Sequence, residues 1–404
     1  MVFRVKLIER KISQRLLEAS QHFPALVLTG ARQTGKTTLL RHLFPEHRYV
    51  SLDRPATAEQ AELDPEAFFA AHPAPLIIDE IQYAPALFRF LKIKIDEKRE
   101  LKGQFLMTGS QKFTLMKGVS ESLAGRVALI ELEGLSCLEL KEQHLVKSDA
   151  DGYTELLYRG TFPELWTDTE RPVELFFDSY IATYLERDVT QILAVGNLRD
   201  FERFLRACAL RSSQQLNKSD LARDVGISAT TAGEWLSVLE ALGQIVLLEP
   251  WFGNLNKRLV KSPKLYMAEP ALICALAGMK KENLAQSPMI GAIWETFVFA
   301  ELRKQLSFAG VRPKLWYYRD QGNYELDFIL EQGSDLTFYE CKWTSSPQAS
   351  MAKSMNAVAD IFLSKATTPY KIVDRILVSR AEQSYQAPPI RYDSPFSGLV
   401  RIGD

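Results

Sequence analysis

The chain has 404 residues, 46% of them hydrophobic and 25% charged, with a formal net charge of −1. That length suits roughly two to four domains, and the balanced charge excludes a global field for nucleic acid or acidic membrane, so any basic surface must be local. No apolar stretch reaches membrane-spanning length, the start Met1–Lys6 lacks a signal-peptide core, and Cys137, Cys208, Cys274 and Cys341 show no C-x-x-C spacing, all of which predicts a cytoplasmic chain without membrane attachment.

Residues 1–145 read as α/β. Candidate strands are Ala25–Leu28, Tyr49–Leu52, Leu76–Ile78, Phe105–Thr108 and Val127–Leu132, with helical patterns between them. Leu87, Leu91 and Ile95 form one such helical stripe, with Pro85 near its start. The alternation predicts a mostly parallel sheet covered on both faces, with ligand loops at the carboxyl ends of its strands.

Gly30-Ala31-Arg32-Gln33-Thr34-Gly35-Lys36-Thr37 fills the pattern G-x-x-x-x-G-K-[ST]. It follows an apolar strand and precedes the helical run from Thr38 to Leu43, the context a phosphate-binding loop requires. The glycines let backbone N–H groups turn inward on phosphate oxygens, and the helix terminus adds partial positive charge. Lys36 is expected to reach the β- and γ-phosphates and Thr37 to ligate Mg²⁺, so residues 30–38, Thr38 included, form the candidate nucleotide site.

The strand Leu76-Ile77-Ile78 runs into Asp79-Glu80. Asp79 is expected to hold Mg²⁺ through water, and Glu80 to polarise the attacking water as general base. A glutamate directly after the magnesium aspartate fits an ATPase that activates its own water, which favours ATP over GTP. The strand Phe105–Thr108 ends in Gly109-Ser110-Gln111, where Ser110, then Gln111, is the candidate for sensing the γ-phosphate. Arg126, after Leu123-Ala124-Gly125, is a candidate arginine finger.

Residues 146–200 read as helical, with a long apolar run from Val173 that ends in the charged cluster Tyr184–Asp188. From 201 to 270 the pattern is helix, turn, helix, hairpin. Ser219 opens a first helix, Gly226 turns the chain, and Ser228 caps a second helix with Ala232, Trp235, Leu236 and Leu239 on one face; Ile245–Leu248 and Lys264–Met267 follow as strands. That order predicts a winged helix with Trp235 in the core. Its presumed recognition helix is poor in cations, whereas the acid-free run 252–264 carries Lys257, Arg258, Lys261 and Lys264. Phosphate contacts by the wing are the DNA-binding expectation; protein contacts or core packing are the alternative.

Residues 271–404 return to α/β. A strand bearing Asp327, a hairpin, then a strand bearing Glu340-Cys341-Lys342 is the layout of a PD-(D/E)XK nuclease core. Asp327 and Glu340 are the candidate metal ligands, Lys342 the residue that activates water or steadies charge, and Glu295 an outer acid.

Taken together, these segments resemble a large prokaryotic family of AAA+-type ATPases that join an N-terminal ATPase core to a C-terminal domain of unknown function. The resemblance rests on Leu28–Thr38, Ile77–Gln82, Thr108–Gln111, Leu123–Arg126, Gly160–Glu164, Tyr184–Val189, Lys261–Tyr266, Glu325–Phe328 and Glu340–Lys342, nearly the whole chain. It implies an ATPase core over 1–145, a helical lid over 146–200, a winged helix over 201–270 and a nuclease-like module over 271–404, with Arg126 acting in trans within a homo-oligomer. One departure is Glu269-Pro270, where such proteins carry Asp-Thr-Gly. The expected function is Mg²⁺-dependent ATP hydrolysis acting on or regulated by DNA; the alternatives are a nucleotide-dependent switch for protein partners and an ATP-gated nuclease.

Overall fold

The computed structural model describes residues 7–110, 122–185, 198–251, 262–311, 314–320, 322, 324–364 and 369–401. They fall into two compact units. The first runs to Leu135 and takes in two short later segments, Phe162–Thr167 and Ala241–Gly243; the second holds the remainder.

In the first unit the expected strands form one parallel sheet. β1 (Ala25–Thr29), β2 (Arg48–Ser51), β3 (Leu76–Asp79), β4 (Phe105–Gly109) and β5 (Val127–Glu131) lie in the order β2-β3-β4-β1-β5. β1, β3 and β4 are buried along their whole length. This is the pattern of strands covered on both faces. Val27, Ile78 and Met107 pack in one cluster with Leu87, Phe88, Leu91 and Ile95 of the helix Leu87–Glu97, so the four-residue stripe is the face that enters the core. The strand order has a functional consequence. β4 sits between β1, which leads into the phosphate loop, and β3, which ends in the acid pair, so the end of β4 lies between those two elements.

The second unit contains two sheets. β6 (Gln214–Gln215), β7 (Ile245–Leu248) and β8 (Lys264–Met267) form an antiparallel set in the order β6-β8-β7. Before β7 come the helices Lys218–Val225 and Ala229–Ala241. The first is capped by Asn217 rather than Ser219: the Asn217 side chain accepts from the N–H groups of Ser219 and Asp220 at 3.1 and 3.2 Å. Ser228 caps the second as expected, accepting from Thr231 N at 3.0 Å. Trp235 is buried edge-on against Phe201 and Phe204.

The other sheet is mixed, with six strands in the order β13-β14-β12-β11-β10-β9: β9 (Leu315–Arg319), β10 (Glu325–Gln332), β11 (Asp335–Cys341), β12 (Lys371–Val378), β13 (Tyr385–Ala387) and β14 (Ile390–Asp393). The helix Lys353–Leu363 packs Met355, Val358, Ala359 and Phe362 against it. Glu269-Pro270, the departure from the family pattern, opens the helix Pro270–Leu276. Glu269 caps it through Ala271 N and also accepts from Thr161 N at 3.1 Å. Among the described residues no helix is long and apolar enough to cross a membrane.

Candidate functional site

The phosphate loop is shaped by two left-handed glycines and one close approach. Gly30 has φ 143°, and a Cβ built there would lie 2.1 Å from the carbonyl oxygen of Leu132, so no side chain fits. Gly35 has φ 92° and forms the N-cap of the helix Lys36–Leu43. Gln33, at φ 63°, is a left-handed residue without the glycine excuse. Lys36 folds back over the loop and donates to the carbonyls of Gly30 and Ala31 at 2.9 and 2.8 Å. Burial lowers its pKa to about 8, against the opposing pull of Glu80 and Asp79. Arg32 Nη2 lies 3.4 Å from the Tyr83 hydroxyl.

Arg10 supports this loop from behind. Its guanidinium is buried and donates to the carbonyls of Thr34 at 3.0 Å, Glu133 at 2.7 Å and Gly134 at 3.1 Å. Nothing in the sequence marks Arg10, because its partners are backbone atoms from the phosphate loop and from the chain leaving β5.

The strand order brings the acid pair to the loop. Asp79 Oδ1 accepts from Thr37 Oγ1 at 2.6 Å and from Thr108 Oγ1, and Oδ2 accepts from the Tyr49 hydroxyl at 2.9 Å. Three hydroxyls from three elements therefore fix one carboxylate. Tyr49 is the second residue of β2 and Thr108 the penultimate residue of β4, and the sheet order is what brings their hydroxyls to Asp79. Glu80 has φ 54°, a left-handed backbone that costs a non-glycine residue about 1–2 kcal/mol. Its N–H donates to Thr108 Oγ1 at 3.1 Å. Its side chain accepts from Ser110 Oγ at 3.0 Å, from Ser110 N at 3.3 Å and from Gln82 Nε2. Ser110 is thus joined to Glu80, while Gln111 lies outside the described residues. Pro163, of the Gly160–Glu164 motif, stands beside Gly35: its Cγ is 3.8 Å from the position of a Cβ there.

Arg126 is not in this cluster. The register pairs Val127 with Ala25, at the start of β1, whereas the phosphate loop follows Thr29 at the other end. Five strand residues separate the two edges by about 16 Å, which is too far for Arg126 to touch a phosphate bound by its own chain. Its guanidinium is clasped by Asp96, Nε to Oδ1 at 2.7 Å and Nη2 to Oδ2 at 2.8 Å.

The second constellation is drawn together only in part. One step beyond the last pair, Phe328 with Tyr339, the register of β10 and β11 brings Asp327 alongside Glu340. Asp327 Oδ2 accepts from Cys341 N at 2.7 Å, and Lys342 Nζ donates to Glu340 Oε1 at 2.8 Å. Glu340 is buried and its Oε2 has no partner among the described residues. Burial and the neighbouring Asp327 push its carboxyl above the ordinary range, with Lys342 opposing. Glu295 hydrogen-bonds elsewhere, accepting from Lys264 at 3.0 Å and from the Tyr266 hydroxyl at 2.6 Å, yet it lies near enough that, after burial, Asp327 pushes its carboxyl up and its own charge raises Glu340. Among the described residues no three His, Cys, Asp or Glu side chains form a metal-holding group.

Lys264 corrects an expectation. The sequence groups it with the cations of 252–264 expected to face DNA, yet its side chain is 2% exposed and pairs with Glu295 and with Glu325, the latter at 2.6 Å. Burial opposes its charge, but Glu295, Asp327 and Glu325 overcome this and hold it protonated above the ordinary lysine range. All four residues of β8 are buried, on both faces of the strand, which leaves it no route to solvent. Lys257, Arg258 and Lys261 lie outside the described residues. The tetrapeptide Asn217-Lys218-Ser219-Asp220 spells N-K-x-D, a pattern tied to guanine recognition in GTPases, but here it is a helix cap: Asn217 Nδ2 donates to Asp220 at 2.6 Å and Arg223 pairs with Asp220 at 2.7 Å.

Comparison with known proteins agrees with the first site. A family model described as an AAA domain matches residues 22–141, and two described as domains of unknown function, DUF8612 and DUF4143, match 150–283 and 290–389. Uncharacterized protein Rv2008c of Mycobacterium tuberculosis and uncharacterized protein Mb2031c of Mycobacterium bovis are each 33% identical over 369 residues, which cover 90% of this chain and 80% of theirs. Among solved structures, the Walker-type ATPase PABY2304 of Pyrococcus abyssi is 16% identical, with a TM-score of 0.46, covering 68% of this chain and 97% of that one. With an AAA domain at its amino end and a DUF4143 region toward its carboxyl end, the chain belongs to the same family as these two mycobacterial proteins.

Proposed function

We propose that this protein is a Mg²⁺-dependent ATPase of AAA+ type, in which Glu80 is the general base. The observation that carries the reading is the convergence of Lys36, Thr37, Asp79, Glu80 and Ser110 at one edge of the sheet. Thr37 and Asp79 fit a magnesium site, since a hydroxyl and a carboxylate oxygen already meet at 2.6 Å beside the loop. When bound there, Mg²⁺ would neutralise negative charge on the phosphates. The loop amides and Lys36 grip the phosphates, Asp79 orients Thr37, and Glu80 takes a proton from the attacking water. The test is release of inorganic phosphate from ATP by the wild type and by Lys36→Ala, which is expected to be inactive.

DNA as the effector rests on the acid-free run 252–264 and is tested by measuring ATP turnover with and without duplex DNA across salt concentrations, where phosphate contacts give a steep salt dependence. In the described part of the helix Ala229–Ala241, the exposed charges are acidic, Glu234 and Glu240, which disfavours base reading by that helix and keeps protein partners as the competing effector. A second activity, metal-dependent cleavage of nucleic acid at Asp327, Glu340 and Lys342, is favoured by one observation, the buried Glu340 oxygen with no partner among the described residues. Incubating supercoiled DNA with the protein and Mg²⁺ or Mn²⁺, against Glu340→Gln, decides it.

A further inference from the structure

Gln82 sits two residues beyond Glu80, in the short turn Ile81–Tyr83, and is 5% exposed. Its Nε2 donates to Glu80 Oε2. An ionised carboxylate offers only acceptors, so the end of the amide that faces Glu80 is the NH₂ and the carbonyl is turned away from it. That carbonyl oxygen, Oε1, is buried and has no partner among the described residues. Buried acceptors in native folds are nearly always met by a protein group, an ordered water or a ligand. Among the described residues, the donors to the Glu80 side chain all converge on Oε2. Oε1 is the oxygen left to receive a proton.

We propose that Gln82 is a positioning residue for ATP hydrolysis, holding Glu80 through Nε2 and the attacking water through Oε1. The inference rests on the reading of Glu80 as general base. One amide then sets both the base and the nucleophile. One water proton is held by Gln82 Oε1 and the other passes to Glu80. The water oxygen forms its bond to the γ-phosphorus as the bond to the β–γ bridging oxygen breaks. ADP leaves with that electron pair, and inorganic phosphate carries the oxygen from water. The left-handed backbone at Glu80 interrupts the strand here, and the turn that follows returns Gln82 to the carboxylate.

The experiment compares full-length wild type with Gln82→Met and Glu80→Gln. Methionine keeps the length and apolar stem of glutamine but deletes both the donor and the acceptor. Turnover of ATP, the dissociation constant for a fluorescent ATP analogue with Mg²⁺, and thermal unfolding are read for each. In Gln82→Met the expected result is a fall in kcat of roughly 10²-fold, with nucleotide affinity and melting unchanged. Unchanged kcat in Gln82→Met, while Glu80→Gln is inactive, overturns the role of Gln82 and leaves Glu80 in place. Unchanged turnover in Glu80→Gln overturns both. Weakened nucleotide binding at constant kcat also overturns the proposal, since a positioning role acts on the chemical step. If Gln82→Met fails to fold, Gln82→Glu keeps the shape and the acceptor while removing the donor. It is expected to bind nucleotide and to lose turnover, and normal turnover in it sinks the idea.

Discussion

Thr37 and Asp79 lie 42 residues apart in sequence, yet the Thr37 hydroxyl donates to Asp79 at 2.6 Å. The bond ties the first turn of the helix after the phosphate loop to the end of β3, and Thr108 and Tyr49 lock the same carboxylate from two other strands. Asp79→Ala frees all three hydroxyls at once. Mg²⁺ is expected to tighten nucleotide binding in the wild type and to have little effect in this variant. Equal enhancement by Mg²⁺ in both proteins, measured by titration with a fluorescent ATP analogue, removes Asp79 from the magnesium site.

Lys36 is expected to make nucleotide binding pH-dependent. Burial sets its pKa near 8 without nucleotide, and phosphates are bound by the charged form. Affinity is therefore expected to be constant below about pH 7 and to weaken up to tenfold per pH unit above 8. Stability of the nucleotide-free fold moves the other way. Between about 8 and the unfolded lysine value the unfolded chain holds more protons than the native one, so this group's contribution rises with pH. A pH-independent dissociation constant from pH 7 to 9.5 contradicts the burial argument.

Glu80→Gln is expected to keep ATP bound and to lower turnover by roughly 10²–10⁴-fold, because Lys36, Thr37 and Asp79 are untouched. Single-turnover measurement of phosphate release separates this from a loss of binding.

Arg126 stands at the wrong edge of the sheet for its own chain's phosphates. Any role as a finger is then a role toward a neighbouring copy. Arg126→Ala is expected to bind ATP normally and to lose turnover by roughly 10³–10⁵-fold. Mixing it with Lys36→Ala should restore activity, since one chain then supplies the finger and the other the loop. Turnover per wild-type chain should rise with protein concentration. Full activity in a dilute, demonstrably monomeric sample rules the trans role out.

Lys264 is a structural cation. Lys264→Met leaves Glu295 and Glu325 without their shared partner, and removing one member of a buried ion set costs about 3–5 kcal/mol. The denaturation midpoint should fall accordingly. Weakened DNA binding in a Lys264→Met protein of undiminished stability would show that this side chain reaches solvent after all.

The sheet and its phosphate loop were legible because β1, β3 and β4 are buried on both faces and so read as unbroken apolar runs. Lys36 and Thr37 were legible from the phosphate-loop motif, and Asp79 and Glu80 from the apolar strand that runs into an acid pair. Arg10, Tyr49 and Thr108 were not, because each reaches the site through the order of strands or through a backbone carbonyl, neither of which leaves a local trace. Lys264 misled for a related reason. In sequence it closes a run of cations, but it is the first residue of a buried strand, and only the carboxylates of Glu295 and Glu325, 31 and 61 positions away, explain a charge there. The cap at Asn217 shows the same weakness at short range, since two polar residues two positions apart, Asn217 and Ser219, both suit a helix start.

Arg10 has one more implication. By bonding carbonyls on the phosphate loop and on the chain after β5, it fastens the loop's curvature to the segment that follows the edge strand. The loop is then already curved when nucleotide arrives, and little ordering entropy opposes binding. A segment outside the phosphate loop is thereby expected to influence nucleotide affinity without touching the ligand, which comparing the dissociation constant of Arg10→Met with that of the wild type checks. Sliding or release of the chain before the first helix would loosen ATP with every residue of the loop unchanged.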